Sequence, residues 1–362
     1  MTALKDRLVR LVSAAGPISV ADYMATCLFD PQHGYYTTRE PFGAQGDFTT
    51  APEISQMFGE LVAVWLVTEW RSAGRPADST IAEIGPGRGT MMKDMARTIL
   101  RLAPKLAAGA RFALVETSPR LRDVQRATLA DSQLRHEWHE SVSGLGDGPL
   151  FIVGNELFDA LPVRQFVKTS SGWRERMVGL SDDGELAFVT GAAGLDPALL
   201  PADAADAAEG AIVEVAPARE ALMEEIAGHI ARRGGAGLFI DYGYLRPAVG
   251  DTLQALTRHR HEDVLASPGQ ADLTAHVDFA ALATVAVRHG LAARLETQGD
   301  FLLRSGLLER AGALGSGKEV AVQERLRSEV ERLASSAEMG NLFKVLSLSA
   351  TAGAMPFSVV AD

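Results

Sequence analysis

The sequence predicts an α/β fold, a mostly parallel sheet with helices on both faces. Three observations predict it. From residue 79 onward, apolar runs of strand length alternate with stretches of helical periodicity. A glycine-rich turn, Gly85-Pro86-Gly87-Arg88-Gly89, separates the first apolar run from the helix that follows it. The chain has 362 residues of which 47% are hydrophobic, enough apolar surface to cover a large sheet on two sides.

Helices are expected over 3–14 and 19–28, followed by a glycine-rich loop over 34–50. Lys5, Arg7 and Arg10 on an amphipathic pattern raise the question of an organellar presequence. The pattern stops at Ala14-Ala15-Gly16-Pro17 and a second helix follows from Ser19, so a structural first helix is the expectation. A long helix should then begin in a capping box. Thr50 stands three residues before Glu53, Pro52 lies in the first turn, and Ile54, Phe58, Leu61 and Trp65 recur at helical spacing. Trp65 and Trp70 read as core. Strands are expected at 80–84, 111–116, 150–154, 236–241, 291–297 and 342–348, with a weaker one near 136–141. Helices fill the gaps at 90–102, 119–130, 217–233, 277–289 and 319–334.

A βαβ unit takes about 30 residues, and the interval from Gly154 to Ala236 is more than twice that, so something is inserted. Residues 163–167, 173–180 and 185–189 alternate like strands, separated by the turn sequences Ser170-Ser171-Gly172 and Asp182-Asp183-Gly184. An antiparallel meander followed by a mobile surface loop over 191–210 is expected. The organisation this implies is a helical N-terminal extension over 1–78 covering the crevice and a main domain over 79–362, with an inserted β meander over 160–215.

Composition narrows the partners. With 35 Lys+Arg against 46 Asp+Glu, the net charge of −11 repels nucleic-acid phosphate, and no basic run interleaved with aromatics offsets it. Nucleic acid is therefore not an expected partner. The single cysteine, Cys27, excludes an intramolecular disulfide and a multi-cysteine metal cage. No run approaches the roughly 20 apolar residues of a membrane-spanning helix, so no membrane insertion is expected.

The chemistry concentrates at predicted strand ends. Glu83, Gly85, Pro86, Gly87, Gly89 and Thr90 form a strand-to-helix turn in which the glycines bring a ligand against a helix N-terminus. A dinucleotide fingerprint has glycines at positions one, three and six; here they fall at one, three and five, and no Walker lysine follows. Glu83 is a poor neighbour for pyrophosphate and a good one for an ammonium group. Glu116 ends the second strand, where a carboxylate accepts ribose hydroxyls. A nucleoside with an ammonium group and no phosphate describes S-adenosylmethionine. Asn155, Glu156 and Asp159 follow the apolar run 151–154, and Asp241 and Tyr242 end the strand from Ala236; both sets point to the crevice where open α/β sheets bind ligands. Asp159 reads equally as a helix cap or a loop acid.

Taken together, Gly46-Asp47-Phe48-Thr49-Thr50-Ala51-Pro52-Glu53, the Glu83 to Thr90 turn, Gly154 to Val163, Arg258-His259-Arg260-His261 and Asp272 to Phe279 resemble the MidA family over nearly the whole chain. The resemblance implies a class I (Rossmann-like) S-adenosylmethionine-dependent methyltransferase with a seven-stranded sheet whose last strand is antiparallel. It also implies a protein substrate, symmetric dimethylation of an arginine on the 49-kDa-type quinone-reductase subunit of complex I, in support of complex assembly. A bacterial chain would be cytoplasmic and a eukaryotic one would sit in the mitochondrial matrix.

Methylating arginine requires orienting a guanidinium that has no free lone pair and removing its proton. Carboxylates do both. Glu156, Asp159 and Asp241 are the candidates, Glu156 first because it directly follows the strand end. Asp47, Phe48, Glu53, Tyr242, His259, His261 and His276 are expected to line the substrate cleft. For Asp47 and Glu53 a purely capping role stands equal. His259 and His261 are flanked by Arg258 and Arg260, which argues against a metal site. Two other readings stand beside this one: a small-molecule methyltransferase with a closed pocket, and a non-catalytic assembly chaperone that binds S-adenosylmethionine.

Overall fold

The computed structural model describes residues 2–38, 50–257 and 260–350. The chain divides into two compact units. One comprises Met1–Phe48, Phe158–Ala221 and Arg246–Asp278; the other comprises Thr49–Leu157, Leu222–Leu245 and Phe279–Asp362.

The second unit carries the parallel sheet. Its strands are β1 (Thr80–Ile84), β2 (Arg111–Val115), β3 (His136–His139), β4 (Leu150–Asn155), β5 (Gly235–Tyr244), β6 (Ala292–Thr297) and β7 (Phe343–Ser349). They lie in the order β6-β7-β5-β4-β1-β2-β3. β7 runs antiparallel to both β5 and β6, and the remaining pairs are parallel. Every residue of β1 and β4 is buried, as expected of strands covered on both faces, and this is why they read as mainly apolar runs, with Glu83 and Asn155 the buried polar exceptions near their carboxyl ends. The expected strand near 136–141 exists and forms the sheet edge.

The helix Gln56–Ser72 buries Phe58, Trp65 and Trp70 in the core of this unit, with Phe112 and Phe151 of the sheet. It lies close to the helix Thr90–Leu102 because Gly59 has no side chain. A Cβ there would stand 2.8 Å from the Asp94 Cβ. Buried Glu60 accepts two bonds from Arg310, at 2.6 and 2.9 Å, and one from Arg97 at 3.2 Å, tying the helix to the later helix Leu307–Gly315.

The expected single helix from Thr50 is two. Ala51–Ile54 ends at Ser55, whose extended backbone (φ −156°, ψ 137°) breaks the helix, and Gln56–Ser72 starts anew with the Ser55 hydroxyl accepting from Met57 N. The capping box does not form, because the Thr50 side chain makes no cap bond and the Glu53 carboxylate instead accepts the Thr90 hydroxyl at 2.5 Å. Helices Gln298–Arg304 and Leu307–Gly315 were not expected. They are short and separated by Gly306 at φ +94°.

In the first unit the helices Ala3–Ala15 and Val20–Phe29 pack with a meander of Arg164–Thr169, Gly172–Leu180 and Leu186–Gly194. The turn glycines Gly172 and Gly184 adopt positive φ, as their turn sequences require. Two strands join the meander beyond expectation: Ile212–Val215 beside Arg164–Thr169 and Ile18–Ser19 beside Gly172–Leu180. The stretch expected as a mobile loop over 191–210 instead continues the strand to Gly194 and then forms the short turns Pro197–Leu199 and Ala202–Ala205. Gly191 is held in that strand by packing, since a Cβ there would lie 2.5 Å from the Met177 sulfur. A small sheet of Gln254–Thr257, Arg260–Glu262 and Asp272–Thr274 completes the unit.

Candidate active site

β1 and β4 are neighbours, and strands on either side of them are reached in opposite directions along the sheet. This is the switch point at which open α/β sheets bind ligands beyond the strand ends. The turn after β1 needs its glycines, because Gly85, Gly87 and Gly89 adopt φ of +64°, +51° and +81°. Gly85 N–H donates to Val115 O at 3.1 Å, and Gly89 N–H donates to Pro86 O at 2.7 Å before the helix Thr90–Leu102 begins.

Four acids close the central strands. Glu83 is buried. Burial pushes its carboxyl up to about 8, against the opposing pull of the Met92 N–H. Its Oε2 has no hydrogen-bond partner among the described residues. Glu116, also buried, has Oε1 bonded by Ser118 N–H at 2.8 Å and Oε2 by the Gln125 amide at 3.1 Å. Burial raises its pKa and these donors oppose the rise.

Glu156 follows β4 at φ +51°, one of two non-glycine residues with positive φ among the described residues. Such a conformation costs about 1–3 kcal/mol and persists only where surrounding bonds enforce it. They do so here. Glu156 N–H donates to Ile240 O at 2.9 Å, and the next N–H, of Leu157, donates to Asp241 Oδ2 at 3.1 Å. The other oxygen of fully buried Asp241 accepts Tyr242 N–H at 2.9 Å. Asn155 Nδ2 donates to Glu156 Oε1 at 2.9 Å, while its Oδ1 is buried without a partner among the described residues. Tyr242 is buried edge-on to Phe343, with ring centroids 5.5 Å apart.

Glu83, Gly85, Pro86, Gly87, Gly89, Thr90, Glu116, Asn155, Glu156, Asp241, Tyr242 and Glu53 thus belong to the sheet unit. Asp159, His261 and His276 belong to the other. Asp159 Oδ1 accepts Ala160 N–H at 2.8 Å, and its main-chain oxygen accepts Ala275 N–H. His276 N–H donates to the Thr252 hydroxyl at 2.9 Å, and His261 is exposed. Asp47, Phe48 and His259 lie outside the described residues.

Two residues with no sequence signal stand out. Buried Gln125 contacts both the glycine turn and Glu116. Buried Arg219 donates to the main-chain oxygens of Asp159, Leu161, Ala275 and His276, fixing the two segments that carry Asp159 and His276. Each sits inside an ordinary-looking helical stretch, where only tertiary contacts reveal its partners.

Two buried acceptors without partners among the described residues, Glu83 Oε2 and Asn155 Oδ1, beside an acid set and a glycine turn that lacks the Walker lysine suit a cationic, nucleoside-bearing ligand. The donor set fits S-adenosylmethionine. The strand order and this site define a class I methyltransferase. Residues 61–297 match the family model described as S-adenosyl-L-methionine-dependent methyltransferase, and the chain belongs to that family. It is similar to the mitochondrial protein arginine methyltransferase NDUFAF7 of Danio rerio, 35% identical over 97% of this chain and 87% of the relative. The Homo sapiens NDUFAF7 is 34% identical, covering 96% and 83%. A crystal structure of a superfamily relative from Burkholderia thailandensis bound to S-adenosyl-homocysteine superposes with a TM-score of 0.84 at 30% identity, covering 96% of this chain and 92% of that one. The protein is an S-adenosylmethionine-dependent methyltransferase. No helix among the described residues is long and apolar enough to cross a membrane.

Proposed function

We propose that this enzyme methylates an arginine of a protein, with symmetric dimethylation of the 49-kDa-type quinone-reductase subunit of complex I, in support of its assembly, as the specific reaction. The relatives named protein arginine methyltransferase support the acceptor class. The observation that carries the reading is Glu156, a carboxylate held at positive φ at the mouth of β4 by a buried acid and two strand ends. When bound, S-adenosylmethionine would supply an electrophilic methyl group, whose bond to the sulfonium sulfur breaks with the thioether S-adenosylhomocysteine as the leaving group. Glu83 pairs with its ammonium, Glu116 accepts its ribose hydroxyls, and the glycine turn admits it at close range. Gly85, Pro86, Gly87, Gly89, Thr90 and Asn155 complete that cradle.

Glu156 then receives the acceptor guanidinium, whose planar N–H fork matches a carboxylate, and takes the proton released as the new N–C bond forms. The geometry gives Asp241 a positioning role, since both of its oxygens accept main-chain N–H bonds. Asp159 stands as a further candidate base, and Asp47, Phe48, Glu53, Tyr242, His259, His261 and His276 are proposed to contact the protein substrate. In a bacterium the reaction would take place in the cytoplasm.

Incubation with labelled S-adenosylmethionine and a cell lysate tests the acceptor class. One labelled protein band of quinone-reductase size is expected. Label confined to small molecules would establish the small-molecule reading, and no label despite cofactor binding would establish the chaperone reading. Glu156→Gln should keep S-adenosylhomocysteine affinity while slowing methylation by about 100-fold or more; full activity would move the base to another acid.

A further inference from the structure

We propose that Gln125 is a positioning residue that aims the Glu116 carboxylate at the cofactor ribose and locks the glycine turn to it. The proposal rests on the reading of Glu116 given above. Gln125 lies on the helix Pro119–Thr128 and is fully buried. Trp138 of β3 donates its indole N–H to Gln125 Oε1 at 2.9 Å. An indole nitrogen only donates, so this contact fixes which end of the amide is oxygen. The amide nitrogen must then face the other way, and it does. Nε2 donates to Gly87 O at 2.8 Å and to Glu116 Oε2 at 3.1 Å.

One side chain therefore joins the turn after β1, the acid after β2 and the indole on β3. Trp138 is steadied in turn by the Arg126 guanidinium, 5.0 Å from its ring centre. With Ser118 N–H on Oε1 and Gln125 on Oε2, the Glu116 carboxylate cannot rotate without breaking a bond. The Thr117 N–H also bonds this carboxylate, and of its roughly four acceptor sites these three donors leave one for a ribose hydroxyl. The bond from Gln125 to Gly87 O sets the glycine turn relative to that carboxylate, so the two parts of the nucleoside site move as one.

A residue that only supported the fold would affect all ligands alike, whereas one that aims Glu116 affects ligands with ribose hydroxyls. The test is calorimetric binding of S-adenosylhomocysteine and of its 2′,3′-dideoxyribose analogue to the wild-type protein, Gln125→Leu and Gln125→Glu, with thermal unfolding as the check on folding. Wild type should prefer S-adenosylhomocysteine by roughly tenfold or more, the worth of a charge-assisted hydrogen bond. Gln125→Leu should remove most of that preference and leave affinity for the dideoxy analogue within about twofold.

Equal weakening for both ligands, or an unchanged preference, overturns the proposal. A wild-type protein with no preference overturns the reading of Glu116 instead, and the role of Gln125 with it. Gln125→Glu preserves shape and the bond from Trp138, so it keeps the fold independently of how a leucine packs there. Its carboxyl can donate to Glu116 only while protonated, so its affinity for S-adenosylhomocysteine relative to wild type should fall as pH rises; a flat ratio contradicts the proposal.

Discussion

Glu83 offers a quantitative test of how the site meets a cationic ligand. Burial pushes its carboxyl from an ordinary 4.5 to about 8. At pH 7 most molecules therefore hold the proton. If Glu83 pairs with the cofactor ammonium, binding favours the carboxylate and expels that proton, so S-adenosylhomocysteine binding at pH 7 should release between about half and one proton per site. Calorimetric titration in buffers of differing ionisation enthalpy reads this number as the slope of apparent enthalpy. The release should vanish above about pH 9, where the acid is already ionised, and should be absent in Glu83→Gln. A zero slope in the wild type, or an unchanged slope in Glu83→Gln, would refute the pairing.

The same shift has a consequence for stability. A carboxyl whose folded pKa is raised keeps its proton in the native state after the unfolded chain has lost it. Stability therefore falls as pH rises from about 4.5 to about 8. Glu69, pushed up to about 7 by burial, contributes to the same fall. Glu83→Gln should flatten part of the decline in melting temperature between these limits; a parallel displacement of the whole profile would show that Glu83 does not titrate there.

Three further outcomes follow from particular contacts. Gly235→Ala should leave little folded protein, because Gly235 has φ +120° and an added Cβ would lie 1.9 Å from the Leu150 carbonyl oxygen of the paired strand; Gly184→Ala, at φ +77° with open space around it, should cost only about 1 kcal/mol in denaturant unfolding. Asp241→Asn should orphan one of the two N–H groups its carboxylate accepts, costing about 1–3 kcal/mol, and should lower the methylation rate more than the affinity for S-adenosylhomocysteine. Arg310→Met should destabilise by about 2 kcal/mol, less than a fully buried pair would, because the guanidinium is partly exposed and Arg97 still reaches Glu60; an unchanged melting temperature would count against the Glu60 cluster as a helix tie.

The parallel strands were legible because burial on both faces favours apolar runs, as in Phe112 to Val115 and Phe151 to Val153. The glycine turn was legible because positive φ at three positions demands glycine whatever the ligand. What sequence could not show depends on partners distant in the chain. Thr50 and Glu53 spell a capping box, yet Glu53 is claimed by Thr90. Gln125 is one polar residue in a polar helix until Trp138, Gly87 and Glu116 converge on it. Asp241 reads as a candidate base because it ends a strand, but the bonds its oxygens accept from Leu157 and Tyr242 N–H depend on partners that sequence does not pair with it. The helices Gln298–Arg304 and Leu307–Gly315 had no clear signal because Gly299, Gly306, Gly312 and Gly315 interrupt the helical pattern, whereas the later helix Val320–Ala334 lies where the sequence predicts one, over 319–334.

The proposed methyl acceptor of this enzyme is a protein arginine. Tandem mass spectrometry of the purified 49-kDa-type quinone-reductase subunit, after incubation with the enzyme and isotopically labelled S-adenosylmethionine, tests it most directly. The account predicts a single arginine carrying two labelled methyl groups, one on each terminal nitrogen, in the wild-type reaction and none with Glu156→Gln. An unlabelled subunit in the presence of an enzyme that binds S-adenosylhomocysteine normally would contradict it.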